Sequence, residues 1–222
     1  MGFTYINENE CIKIINKYDR FTKLKRPQSQ ELEYKILTRL NNNFKCMCKK
    51  KKENHFPIVK KKVKDYGLLL SYCGKCLKFG KQKFDAQGGP PGYFYNKEQD
   101  EIDDIPEQID CIIHNLKRNN IIQIDEGFMG QNLTIKNKTL YMIDFGMAFE
   151  SDKEIPFTSG HVKNFMSSLQ MKHYYKYLKI LLNWIMKNNK LFHEKYRNNK
   201  RGFMRLGIKQ IIDKLEREIS PR

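Results

Sequence analysis

The chain has 222 residues, a mass of 26.6 kDa and a formal net charge of +17, from 42 Lys and Arg against 25 Asp and Glu. Its 14 Phe and 12 Tyr, within 40% hydrophobic residues, can fill a core and exclude disorder throughout; the length suits one domain or two small lobes sharing a core. Mean hydropathy is −0.71, and no apolar run approaches the roughly 20 residues that span a bilayer.

The opening residues Met1 to Glu8 lack a basic segment followed by an apolar one, so they do not read as a secretory signal. They also lack the Ser or Thr at position 6 of a myristoylation pattern, where Ile6 stands. Six Cys without a leader point to free thiols in a reducing, intracellular and cytoplasmic setting. Glu10 to Ile15 is a short β-type run. Residues 28–41 predict a helix with Ser29 as its cap and Leu32, Ile36, Leu37 and Leu40 on one face.

The densest basic stretch, Lys45 to Lys64, reads as a solvated loop before an edge strand. A nucleic-acid patch is the lesser reading, since only Phe56 is interleaved as a stacking aromatic. Phe56 to Val59 and Leu68 to Tyr72 predict two strands, with Asp65-Tyr66-Gly67 as the turn between them. Gln87 to Gly92, with two Pro and three Gly, cannot be helix or central strand. It divides the chain into a sheet-rich part, 1–86, and a helix-rich part, 87–222, within one α+β domain.

The second part opens with a helix. Pro106 sits in its first turn, Ile109, Ile112, Ile113 and Leu116 form its stripe, and Asn119-Asn120 ends it. Ile121 to Ile124, Leu133 to Ile135 and Leu140 to Ile143 follow as strands. Helical spacing then runs from Val162, Phe165, Met166 and Leu169 through Tyr177 to Ile185, and again from Ile208 to Ile219. Trp184 and the tyrosines at 174, 175 and 177 read as helix-packing residues.

A hairpin about Lys138 would leave Asn132 and Asp144 equally far from the turn. Antiparallel pairing would set them side by side, Cα atoms about 5 Å apart. An amide oxygen beside a carboxylate makes a hard-oxygen site suited to Mg²⁺ with phosphate oxygens completing the shell. Asp125 begins the loop feeding that hairpin.

These residues resemble the catalytic and magnesium loops of the protein-kinase-like family. Asp144-Phe145-Gly146 matches its Asp-Phe-Gly motif, Asp125 falls at its catalytic Asp and Asn132 at its metal-binding Asn. Six residues separate Asp125 from Asn132, where the family usually has four. Such enlarged loops resemble those of small kinase-like proteins of large DNA viruses. Gln123 replaces the His, mainly a structural anchor, that usually stands two residues before the catalytic Asp.

Upstream, Cys11-Ile12-Lys13-Ile14 resembles the strand bearing the phosphate-holding Lys, and Glu33 the helix Glu that pairs with it. Leu68 to Gly74 resembles the strand and hinge over the adenine, with Leu70 as gatekeeper and the backbones of Ser71 and Cys73 facing the base. Two family parts are missing: with 12 residues before Lys13 there is no Gly-x-Gly-x-x-Gly, and no Ala-Pro-Glu follows Gly146.

The resemblance implies a two-lobed kinase-like fold with a truncated N-terminal lobe and a minimal helical C-terminal lobe. It implies ATP and Mg²⁺ as cofactors and transfer of the γ-phosphoryl group to a hydroxyl, of protein Ser or Thr. A virus-like chain of this kind would work in host cytoplasm or the virion. Two rivals stand beside it. One is a pseudokinase that binds without turnover. The other is a nucleic-acid binder held by zinc at Cys46, Cys48, Cys73 and Cys76, with His55 between the pairs.

Overall fold

The computed structural model describes residues 3–7, 9–14, 30–49, 52–63, 67–76, 100–102, 104–123, 132–146, 148–150, 173–195 and 217. Among them are three α-helices and nine short strands in three sheets, a mixed α+β architecture. The loop at 87–92, the helical segments expected over 162–169 and, Arg217 apart, over 208–219, the turn at 65–66, Ser29 and Asp125 lie outside the described residues.

The largest sheet has four antiparallel strands in the order β1 (Phe3–Ile6), β2 (Glu10–Ile14), β4 (Gly67–Ser71), β3 (Val59–Val63). β1 is an element that the sequence reading passed over. β3 also differs from expectation: it is not Phe56 to Val59 but starts at Val59 and runs through the lysines. Lys60, Lys61 and Lys62 are exposed on this edge strand, where charge discourages pairing with another chain. The preceding residues do other work, Phe56 being fully buried and Ile58 49% exposed.

Helix α1 (Gln30–Asn42) buries Glu33, Ile36, Leu37 and Leu40, the i, i+3, i+4, i+7 stripe of an amphipathic helix. Glu33 is the charged member of that stripe and is 1% exposed. Such burial requires a partner for the carboxylate.

Helix α2 (Ile105–Arg118) has Pro in its first turn and ends at Asn119, followed by Asn120 at φ 55°. Its apolar face packs on α3 (Tyr174–Lys195), which buries Tyr174, Tyr177, Leu178, Leu181, Leu182, Ile185 and Met186. Two buried amides on α2 organise its neighbours. Gln108 accepts the Leu140 N–H at 2.7 Å and donates to the Lys138 carbonyl at 3.0 Å. Asn115 accepts the Lys45 N–H at 2.8 Å and donates to the Lys45 carbonyl at 2.9 Å.

The second sheet has the order β5 (Lys75–Cys76), β7 (Leu133–Lys136), β8 (Thr139–Met142); the third pairs β6 (Ile121–Ile122) with β9 (Phe149–Glu150). The β7–β8 register is Leu133 to Met142 through Lys136 to Thr139. Its turn is Asn137-Lys138, with φ 52° and 63° at the two residues, the two-residue I′ geometry that matches strand twist. The hairpin therefore pivots between residues 137 and 138, half a residue before the expected centre. No described helix is long and apolar enough to cross a membrane.

Candidate active site

Lys13 lies in the central part of β2, its Cα opposite Thr4 of β1 and Leu68 of β4. Its side chain reaches α1, where Nζ donates to Glu33 Oε1 at 2.9 Å and Oε2 at 2.7 Å. The same Nζ is 2.5 Å from Asp144 Oδ1. Side-chain exposure falls from Asp144 at 26% to Lys13 at 16% and Glu33 at 1%, so the cluster opens to solvent at its Asp144 end.

The chain around Asp144 is held from three sides. Asp144 has φ 62°, a left-handed backbone that Asp tolerates better than most residues. The next residue, Phe145, donates its N–H to Glu33 Oε1 at 3.1 Å. Its ring is fully buried and meets Phe56 edge-on at 5.8 Å. Gln123 Nε2 donates to the Asp144 carbonyl at 2.5 Å. Gln123 is in turn fixed through its backbone: its N–H donates to the Tyr174 hydroxyl at 2.8 Å, and that hydroxyl donates to the Gln123 carbonyl at 2.9 Å.

Burial opposes charge on Lys13, but the carboxylates of Glu33 and Asp144 outweigh it and hold its pKa above the usual lysine range. Burial lifts the Glu33 pKa, Lys13 pulls it down, and Asp144 pushes it up again, with a net rise. One ammonium between two carboxylates leaves the ionised cluster with one net negative charge. A cation arriving at the exposed Asp144 end would relieve that imbalance.

Asn132 is not opposite Asp144. Its carbonyl accepts the Ile143 N–H at 2.8 Å, so the pairing is one residue out from the expected one. The cause is the Asn137-Lys138 turn, and a one-residue slip reverses the face presented by a regular strand. The left-handed Asp144 ends that regularity. Asn132 is 7% exposed, and its Nδ2 is buried without a hydrogen-bond partner among the described residues.

The segment expected to form an adenine hinge, Leu68 to Gly74, lies on β4 and the turn after it. Leu70 is buried at 3%, between Cys11 and Val59 in register. The Ser71 N–H donates to the Ile58 carbonyl at 2.9 Å, so it is not open to a base. The Ser71 carbonyl takes long contacts from the Cys11 and Cys73 thiols at 3.8 and 3.6 Å. Gly74, at φ 88°, lets this segment cross β7: a Cβ there would sit 1.8 Å from the Ile135 carbonyl oxygen. A cavity of about 430 Å³ beside it, lined by residues including Tyr72, Gly74 and Lys136, contains none of Lys13, Glu33 and Asp144.

The structure thus brings Lys13, Glu33 and Asp144 together and leaves Asn132 one register step away. Gln123 and Tyr174, which hold Asp144 by its backbone, are positioning residues that the sequence reading undervalued. The available signal was the polar Gln directly after the apolar pair Ile121-Ile122.

No protein-family model matches the chain, and no curated protein matches it. A solved structure of WbdD, co-crystallised with the kinase inhibitor LY294002, aligns at 12% identity and a TM-score of 0.37, over 93% of this chain and 48% of that one. The chain spans about half the length of WbdD in that structure.

Proposed function

We propose that this chain binds ATP with Mg²⁺ and is a kinase-like phosphotransferase, moving the γ-phosphoryl group to a hydroxyl of protein Ser or Thr. The observation that carries the reading is the Lys13–Glu33–Asp144 cluster, with Asp144 in an Asp-Phe-Gly sequence whose next amide bonds back to Glu33. A buried carboxylate that grips a lysine from two oxygens fixes the direction of the ammonium. In such a site Lys13 holds the α- and β-phosphates and Glu33 fixes Lys13.

Asp144 and Asn132 are the residues that would hold the metal. A carboxylate and an amide oxygen are hard donors of the kind Mg²⁺ accepts alongside phosphate oxygens. The orphaned Asn132 amide supports this fit, since a buried amide end without a partner is costly and rotation about its terminal bond exchanges nitrogen for oxygen. Mg²⁺ would supply charge neutralisation for the transferring phosphoryl group. Asp125 would orient the acceptor hydroxyl, and Leu70, the Ser71 carbonyl and the Cys73 backbone would border the adenine.

A second reading, a pseudokinase that binds nucleotide without turnover, is favoured by one observation. The β1–β2 connection is Asn7-Glu8-Asn9, without glycine, and the Asn7 side-chain oxygen already accepts the N–H groups of Asn9 and Glu10 at 3.1 and 2.8 Å. Those amides are not open to phosphates. Binding and turnover measured on wild type and Asp125→Asn separate the readings. An enzyme keeps ATP binding in the variant and loses transfer by at least about 10²-fold. Equal turnover in both proteins refutes the role given to Asp125, and ATP binding by an inactive wild type establishes the second reading.

A further inference from the structure

A thiol of α2, Cys111, meets the two thiols of the Cys46-Met47-Cys48 segment, more than sixty residues earlier in the chain. The sulfur atoms of Cys46, Cys48 and Cys111 all lie within 4.8 Å of one another. Tetrahedral zinc with Zn–S bonds of about 2.3 Å spaces its sulfurs about 3.8 Å apart, so small movements would close this cluster on one ion. Cys48 and Cys111 are buried, and Cys46 is partly exposed, which gives an ion a way in. No disulfide joins the described cysteines.

A fourth donor stands beside them. His55 is 2% exposed, with Nε2 3.2 Å from Cys48 Sγ and Nδ1 2.7 Å from the Leu140 carbonyl oxygen. A carbonyl only accepts, so Nδ1 carries the proton and Nε2 presents its lone pair toward Cys48; the ring would have to move toward Cys46 and Cys111 to share an ion with them, since it falls outside their 4.8 Å group. Metal-binding histidines are oriented in this manner by a carbonyl on the other ring nitrogen.

Two donors face the Cys111 sulfur. The Met47 N–H points at Cys111 Sγ at 3.3 Å and Asn115 Nδ2 lies 3.7 Å from it. Asn115 also fixes Lys45 by both its backbone groups, so the Cys-x-Cys segment is docked on α2 by contacts independent of the sulfurs. Lys45 and Lys49 flank Cys46 and Cys48 in sequence, a basic setting for a centre of three thiolates and one Zn²⁺ with net charge −1.

We propose that Cys46, Cys48, His55 and Cys111 form a structural zinc site. This is a different ligand set from the Cys46, Cys48, Cys73, Cys76 arrangement that spacing alone offered. Cys73 does not join it, since its Sγ contacts Ser71 instead. Binding of one Zn²⁺ converts three thiols to thiolates and releases three protons to solvent. The site would tie the segment between α1 and β3 to α2, and through His55 to β8. The His55 carbonyl also accepts the Met142 N–H at 2.9 Å, two residues before Asp144. Zinc would therefore brace the strand that carries Asp144, whatever chemistry Asp144 performs.

The test uses the full chain, purified without chelator and without a polyhistidine tag. Metal analysis of wild type should give one zinc per chain. Replacement by Co²⁺ should give the absorption of a tetrahedral, thiolate-rich site. Cys111→Ser should lose both signals, Cys73→Ser should keep both, and His55→Ala should weaken Co²⁺ binding at least about tenfold. Wild-type protein that is isolated free of metal and gives no tetrahedral cobalt spectrum overturns the proposal, whether or not the variants fold. So does loss of metal in Cys73→Ser to the same extent as in Cys111→Ser.

Discussion

Replacing Lys13 with Met keeps an unbranched stem of nearly the same reach and removes the charged Nζ. In the native site the ammonium is shared by Glu33 at 2.7 Å and Asp144 at 2.5 Å. Without it, two carboxylates face each other, and Glu33, at 1% exposure, has no cation. Breaking a buried ion pair from one side costs about 3–5 kcal/mol. For a chain of this size that lowers Tm by about 6–20 °C. The variant has an internal relief: Glu33 can take a proton. Burial and Asp144 already push its pKa up, and loss of Lys13 removes the opposing pull. A raised folded pKa means that the folded state binds the extra proton more tightly. Lys13→Met should therefore gain stability as pH falls from 7 toward the unfolded carboxylate value near 4.3. Urea unfolding of Lys13→Met, Glu33→Gln and the double variant completes the assay. The double variant should cost less than the sum of the singles by about 1–3 kcal/mol. A Lys13→Met cost below about 1 kcal/mol, or strict additivity, would refute the reasoning.

Three further outcomes are expected. Gly74→Ala puts a Cβ 1.8 Å from the Ile135 carbonyl oxygen at φ 88°, so thermal unfolding should show a loss of at least about 2 kcal/mol; an unchanged Tm would mean that the crossing over β7 is not as tight as described. With chelator present, stability should fall as pH drops below about 6.5, because burial lowers the folded His55 pKa and the unfolded chain binds the proton more readily; His55→Gln should flatten that slope below about pH 6.5, and an identical slope in the variant would count against it. Tyr174→Phe removes both hydroxyl bonds to the Gln123 backbone, leaving a buried N–H and carbonyl unmet at about 1–3 kcal/mol; chemical denaturation with a loss below about 0.5 kcal/mol would remove Tyr174 from the scaffold of Asp144.

The elements that follow local rules were legible in the sequence. Helix α1 shows its stripe at Ile36, Leu37 and Leu40, and α2 shows Pro106 and four apolar positions on one face. The burial of Glu33 was legible for the same reason: it falls on the apolar stripe at helical spacing. Strand β3 was not, because three lysines in sequence carry no period-2 signal; only the sheet edge explains them. The hairpin register was missed by one because Asn137-Lys138 lacks the Gly that usually marks an I′ turn. The thiol cluster could not be read locally at all. Cys111 reaches Cys46 and Cys48 only when α2 docks against the segment before β3, and spacing pointed instead to Cys73 and Cys76.

The most direct test of the central claim is calorimetric titration of a non-hydrolysable ATP analogue, with and without Mg²⁺, into wild type and Asp144→Asn. The variant keeps the size of the side chain and can still hydrogen-bond, but loses the charged metal ligand. Wild type should bind the analogue in a magnesium-dependent manner, and Asp144→Asn should lose at least about tenfold in affinity, or 1.4 kcal/mol, chiefly from the magnesium-dependent part. Equal affinity in the two proteins, or wild-type binding indifferent to Mg²⁺, would contradict the assignment of the Lys13–Glu33–Asp144 cluster as a nucleotide and metal site.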